Sequence, residues 1–446
     1  MTKFTILGAG VAGLSCSYHL GHANSMIFEK QNYYGGHIYS HKKNEFIWDE
    51  GPHVSFTKHQ YVRNLFAQSV NNELLEYEVN VGNYYMGNWI PHPAQSNLWA
   101  LPEEIKNKCL DDFLNSRQKI DLSIKPKNYA EWLEQAFGKT FAKNFPEKYT
   151  KKYWTCNANE LATDWMGERI FYPDIETVKR GYLSKPDEST HYVNKVRYPT
   201  RGGYVSFLNK LEKNSNIYLN HEVLKVDLNE KLIFFKNKKK HRYENLISTL
   251  PLTELIRLCK DVPSHVKQAA NNLNCSSILL VNVTANHPSL RPYHWLYVYD
   301  EDKISTRINH IDLLSPNNTP IGKTGIQVEV YSSSYRPFKL SSGEISKLVV
   351  KELKEMGLII SAETIHTQYV PYANVIFDHK RKESQNLIFS WLEQYGLKRE
   401  DDDLDPMTNW EKKPPVKIGQ LALAGRFAQW KYYWSDDCVM RGKILS

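Results

Sequence analysis

The chain of 446 residues has little of what would settle its class at a glance. It holds six cysteines, at positions 16, 109, 156, 259, 275 and 438, with no CxxC spacing among them. That pattern excludes a disulfide framework and a structural zinc site, and leads us to expect reduced thiols in a cytoplasmic enzyme. The longest apolar run, Ile278 to Val283, is far too short to span a bilayer. No signal peptide is expected, because the chain enters a strand-like run, Phe4 to Leu7, almost at once. Internal repeats and low-complexity linkers are absent. Charge is not gathered in one place either: the net +8 is spread along the chain, and its densest cluster, Lys236 to Arg242, lies between strand-like segments as a solvated hairpin would. Nucleic acid is therefore not an expected partner, although a positive field can draw in an anionic small molecule. His37, His41 and His92 form no metal-ligand constellation with His53, and no Ser-His-Asp or Cys-His arrangement marks a nucleophile. With 41% hydrophobic residues the chain can bury a large core, in two or three subdomains.

What is present begins at once. Residues 3 to 13 read Lys-Phe-Thr-Ile-Leu-Gly-Ala-Gly-Val-Ala-Gly, followed by a helical stretch and a second apolar strand, Met26-Ile27-Phe28, that closes on Glu29. Gly8 permits a tight turn, Gly10 lets the backbone approach a pyrophosphate, and Gly13 lets the helix pack on the strand. The helix N-terminus then faces the anion, and Glu29 can accept hydrogen bonds from a ribose diol. After Glu29 comes a short loop and the pair Gly35-Gly36. This order resembles the flavoproteins related to amine oxidases, in which such a pair lets the chain pass close to FAD. The resemblance implies FAD as cofactor, held by Gly8, Gly10, Gly13, Glu29, Gly35 and Gly36.

The fold class expected is α/β. Residues 1–98, 190–252 and 415–446 form a Rossmann-like FAD-binding domain, 99–182 a helical insertion, and 270–410 a second, mostly antiparallel sheet domain. Pro102-Glu103-Glu104-Ile105 reads as a helix start, and residues 215 to 250 as a β-meander returning to the cofactor domain. Strands are expected at 277–284, 293–299, 304–309 and 325–332, and helices at 342–356 and 381–395. The tail Leu421 to Arg426 reads as one more cofactor-domain strand, then a turn and a final helix.

Further motifs separate the chain from flavoproteins in general. Asp49 to Lys58 places His53 on a Gly-Pro turn. Behind it, in order, come Gly87 to Leu98 with Gln95, Leu101-Pro102, Lys108-Cys109, Lys127 to Trp132, Tyr153-Trp154, Trp165-Met166-Gly167-Glu168-Arg169, and Gly425 to Tyr432 followed by Asp436-Asp437. In this shared order the chain resembles the UDP-galactopyranose mutases, particularly their eukaryotic type, over about four-fifths of its length. That family converts a nucleotide-linked pyranose to its furanose through attack of reduced flavin N5 on the anomeric carbon, with nucleoside diphosphate as leaving group. The resemblance implies that His53 contacts the flavin through its backbone, and that Val223, Asp436 and Asp437 also lie at the cofactor. It implies a small-molecule substrate, a nucleotide diphosphate sugar, met by Gln95, Phe145, Trp154, Arg197, Tyr297, Arg307, Tyr372, Arg426 and Tyr432. Arginines suit a diphosphate because their fork of donors pairs with phosphate oxygens. His53, Arg307 and Arg426 are the candidate catalytic residues.

The chain departs from the family at its base site. The aromatic pair that helps sandwich uracil is replaced by His92 and Ala94, an asparagine that pairs with the base by Thr150, and a tyrosine before the Ser-Pro turn by Leu314. Uridine selectivity should fall, so a different nucleotide sugar, or a substrate without uracil, is expected. Three readings stay open: a sugar mutase, a true oxidoreductase of the amine-oxidase or protoporphyrinogen-oxidase type, and a non-catalytic flavin- or nucleotide-binding protein.

Overall fold

The computed structural model describes residues 3–119, 125–166, 172–186 and 195–445. Phe4–Leu7 is the middle strand of a five-stranded sheet in the order Leu421–Leu423, Asn245–Ser248, Phe4–Leu7, Ser25–Phe28, Ile217–Tyr218, with every pair parallel. Ile6, Leu7, Ile27 and Ile247 have no exposed surface, as a parallel sheet covered on both faces requires. Strand order reverses direction at Phe4–Leu7, so a crevice opens beyond its C-terminal end. The helix Val11–Leu20 leaves that crevice and packs against the final helix, Ser435–Ile444.

The expected meander over 215 to 250 divides. Ile217–Tyr218 pairs with the parallel sheet, Val223–Asp227, Leu232–Phe235 and Lys240–Arg242 make a separate antiparallel sheet, and Asn245–Ser248 returns.

The second large sheet has seven strands in the order Thr364–Val375, Cys275–Ala285, Thr324–Ser332, Arg307–His310, Trp295–Val298, Val81–Tyr85, Asn88–Pro91. All neighbours are antiparallel except Val81–Tyr85 on Trp295–Val298. Two corrections follow. Residues 81–91, grouped above with the cofactor segment 1–98, hydrogen-bond into this sheet instead. The twelve-residue strand Thr364–Val375 was not anticipated. It carries Pro371 and lies at the sheet edge, where a proline costs no ladder bond.

Alternation gives this sheet two different faces. Leu296, Val298, Ile308, Ile326, Val328 and Val330 pack against Ile345, Val349 and Leu353 of the helix Ser342–Glu355. The opposite face carries a row of cross-strand partners: Asn83, Tyr297, Arg307, Glu329, Leu280 and Gln368. Next to it runs a second polar row, in which Gln327 donates to Asn282 at 2.9 Å. Polar side chains on an inner sheet face need a purpose or a partner.

Helices Glu103–Lys119, Tyr129–Phe137, Lys139–Asn144, Pro146–Tyr153 and Ile175–Leu183 close one end of that polar face. Asn128 and Asp174 cap two of them, accepting from Glu131 and Thr177 N–H at 3.0 and 2.8 Å. Gly167, Glu168 and Arg169 of the sequence motif lie outside the described residues. Among the described residues no helix is long and apolar enough to cross a membrane, and all six cysteines are unpaired.

Candidate active site

The glycine loop is built by close approach. A Cβ on Gly13 would lie 2.0 Å from the Gly8 carbonyl oxygen, so only glycine lets the helix start directly on the strand. Gly8 takes φ +102°, the left-handed side that side chains avoid. Gly35 N–H donates to the Ala9 carbonyl at 2.8 Å, which draws Gly35-Gly36 alongside Gly10. The buried Glu29 carboxylate accepts from Ala9 N–H at 2.8 Å and Gln31 N–H at 2.9 Å, so it clamps the loop as well as facing the crevice.

From this floor opens a cavity of about 1670 Å³. Small-ligand pockets run to about 300–1,000 Å³, so there is room for a dinucleotide and a second molecule. Gly8, Gly10, Glu29, Gly35, Gly36 and Val223 line one end, and Gln95, Trp154, Tyr149, Thr150 and His92 the other. His53, Tyr297, Arg307, Glu329, Tyr331, Tyr372, Arg426, Tyr432 and Asp436 lie along it. A floor without side chains, a helix N-terminus and an anchored acid suit a pyrophosphate and its ribose, so the residues present fit a flavin dinucleotide.

His53 is held rather than mobile. Its Nδ1 lies 2.9 Å from the Gly51 carbonyl and its ring stacks on Tyr204 at 5.5 Å. Burial, helped by Arg307 and Arg426 and opposed by the Gly51 hydrogen bond, pushes its pKa down to about 3. The imidazole is neutral, with Nδ1–H given to Gly51.

The two arginines differ. Arg307 and Glu329 are cross-strand partners, and the guanidinium pairs with the carboxylate through Nε and Nη2, both at 2.7 Å. Burial works against the charged guanidinium, but Glu329 outweighs it and holds Arg307 well above its usual range. Tyr331 donates to the same carboxylate at 3.0 Å. Arg426 opens the short helix Arg426–Gln429, and its Nε donates to the Tyr433 carbonyl at 2.5 Å. Its Nη1 lies 3.5 Å from the Ala373 carbonyl and from Asn374 Oδ1, and the residue lines the cavity.

Other expected residues are placed as follows. Tyr297 accepts from Trp295 Nε1 at 3.2 Å and meets His92 at 4.8 Å. Tyr372 donates to Glu254 at 2.9 Å, and Tyr432 packs edge-on against the stacked pair Trp165 and Phe377. Four candidates do not line the cavity: Gly13, which serves the packing of helix on strand described above, Arg197, Phe145 and Asp437. Arg197 pairs with Glu76, its cross-strand partner, at 2.6 Å, which is the ordinary use of an arginine on an antiparallel ribbon. Phe145 is fully buried behind the wall, against Tyr85, Phe141 and Tyr299. Asp437 caps the final helix, accepting from Trp434 N–H and Trp410 Nε1, both at 2.6 Å. Leu314 also lies away from the site, in the core beside the parallel sheet, so its departure has no bearing on the base end.

Sequence reasoning missed Glu329, Tyr331, Glu254 and Tyr149. A signal existed for two of them. In Thr324–Ser332 the residues Gln327, Glu329 and Tyr331 alternate with Ile326, Val328 and Val330, and every position is buried. Inward polar residues on a buried strand mark a site face.

Cradle, cavity and sheet together define a flavin-dependent enzyme. The family model for flavin containing amine oxidoreductases matches residues 11–442, and the chain belongs to that family; its cofactor is FAD. Among solved structures, a reduced UDP-galactopyranose mutase is similar at TM-score 0.87 and 22% identity, covering 99% of this chain and 94% of that one. A protein described as a protoporphyrinogen oxidase, from Exiguobacterium sp. 255-15, is similar at TM-score 0.72 and 15% identity, covering 99% and 97%. A putrescine oxidase is similar at 0.63 and 13%, covering 99% and 97%. The shared fold thus serves more than one chemistry.

Proposed function

We propose that this chain is a flavin-dependent mutase that interconverts the pyranose and furanose forms of a nucleotide-linked sugar. The observation that carries the reading is that Arg307 and Arg426, with Tyr297 and Tyr432, line the same cavity as the dinucleotide cradle. A diphosphate uses two guanidinium groups, whereas an amine substrate is repelled by them. When bound in reduced form, FAD supplies a nucleophilic N5 for the anomeric carbon. Arg426, which lines the cavity, draws the diphosphate and steadies it as it leaves. Arg307 presents a guanidinium whose plane Glu329 fixes. Neutral His53 holds the Gly51 to His53 turn and donates no proton to the sugar. At the far end His92 and Thr150 stand where the family has an aromatic residue and an asparagine, and base stacking is worth about 1–3 kcal/mol. A base other than uracil therefore suits the pocket.

The second reading is an oxidoreductase. The family to which the chain belongs favours it, as does Glu329, which cancels the charge of Arg307. The two part on electron balance. Dithionite-reduced holoenzyme should interconvert a nucleotide sugar with no net oxidation, and turnover coupled to oxygen or another acceptor would overturn the mutase reading. Arg426→Ala should weaken nucleotide-sugar binding by about 10- to 100-fold, the scale of charged hydrogen bonds, while FAD stays bound. Equal affinity in variant and wild type would argue against the diphosphate role.

A further inference from the structure

Residues 36 to 51 lead from the glycine cradle to the turn that carries His53, and along them Glu50 is the carboxylate that lines the cavity. It is held in place. Its backbone N–H donates to the Tyr39 carbonyl at 3.2 Å, and its Oε1 accepts from Gln368 Nε2 at 2.8 Å and lies 3.1 Å from His41 Nε2. The second oxygen is different. Oε2 makes no hydrogen bond among the described residues, and the His37 Nδ1 lies 3.9 Å from it. The side chain keeps 9% of its surface exposed, on the cavity. A fixed carboxylate with a spare oxygen calls for a donor. Its place in the wall indicates which. A Cβ on Gly36 would lie 3.0 Å from Gly10 Cα, so these two backbones make one floor for the pyrophosphate. At the other side of Glu50, a Cβ on Gly51 would lie 3.3 Å from Glu329 Oε1, so Gly51 abuts the polar row where a substrate meets the flavin ring. The part of FAD that joins pyrophosphate to ring is the ribityl chain, which offers hydroxyl donors, whereas a phosphate beside Glu50 would be repelled.

We propose that Glu50 Oε2 accepts a hydrogen bond from a ribityl hydroxyl of FAD while Gln368 holds the other carboxylate oxygen. The edge strand Thr364–Val375 thereby grips the cofactor at second hand, and the contact serves a mutase and an oxidoreductase alike.

The test follows release of the cofactor from diluted holoenzyme by flavin fluorescence. Glu50→Leu should release FAD about 10- to 100-fold faster than wild type, the scale of a hydrogen bond to a charged group. Wild type and variant are then loaded with 2′-, 3′- and 4′-deoxyribityl FAD. One of the three should leave wild type faster than FAD by a like factor, and Glu50→Leu should hasten that analogue no further. Wild type that holds all three analogues as long as FAD overturns the proposal, even where the variant fails to fold. So does a variant that releases FAD at the wild-type rate. A variant that hastens all three analogues as much as FAD overturns it too, and places Glu50 at the ring.

Discussion

At the scale of single residues, the site rests on two carboxylates that are buried for different reasons. Glu329 is matched by Arg307, and a buried pair broken on one side leaves an uncompensated charge. Glu329→Gln should cost about 3–5 kcal/mol in unfolding free energy, and Arg307→Met/Glu329→Gln less than the sum of the single changes. Chemical denaturation of the four proteins measures this, and additive losses would mean that the pair is not coupled. Among the described residues Asp49 has no lysine or arginine within ion-pair distance. It accepts from Ser40 Oγ at 2.5 Å, Tyr198 Oη at 2.8 Å and Tyr204 N–H at 3.1 Å, yet burial outweighs these and raises its pKa to about 6. A carboxyl raised on folding stabilises below its unfolded pKa, near 4, and that contribution is lost as pH climbs through about 6. Asp49→Asn should therefore gain in Tm relative to wild type as pH rises from 4 to 7. A difference in Tm that does not change with pH would contradict the assignment.

At the scale of elements, the cradle depends on how tightly the first and last helices meet. A Cβ at Gly442 would lie 2.2 Å from Ser15 Oγ and 2.6 Å from the Ser15 carbonyl carbon, so Gly442→Ala must push Val11–Leu20 outward. Overpacking of this kind costs about 1–3 kcal/mol, and here the displaced helix begins at the glycine loop that lines the cavity. Thermal unfolding and FAD retention on gel filtration should fall together; lowered stability with full FAD retention would show the cradle to be independent of its outer support. Elements set by local pattern were legible in the sequence: the glycine loop, Glu29, and the strands Cys275–Ala285 and Thr324–Ser332 follow from spacing and alternation. Elements set by distant neighbours were not. Thr364–Val375 owes its form to pairing with Cys275–Ala285, and Pro371 hid it. The same division holds within the site. Arg307 and Arg426 were found on motifs, but Arg197 sat in an equally good motif and is spent on Glu76, a partner visible only once Leu74–Glu78 and Lys195–Pro199 are paired.

At the scale of the whole molecule, several buried or half-buried histidines oppose Asp49. Burial lowers His53 to about 3 and His310 and His366 to about 4. A histidine depressed on folding stabilises above its unfolded pKa, near 6.5, and that contribution is lost as pH falls toward the folded value. His53 and His310 carry the larger share of this effect, since His366 is only partly buried, and together the three act in the opposite direction to Asp49. The Tm of the holoenzyme should fall from pH 6.5 to pH 4, and a level profile would be contrary to this account. Bound FAD adds stability by mass action, about 2.7 kcal/mol at one hundred times its dissociation constant. The row from Asn83 to Gln368 has a further consequence. Its members sit on adjacent strands about 4.8 Å apart, so the row works as a ruler roughly 24 Å long whose divisions the backbone ladder sets. Outside the Arg307–Glu329 pair, a point substitution can rewrite one mark on that ruler without moving the others, because the backbone and not the side chains sets its divisions.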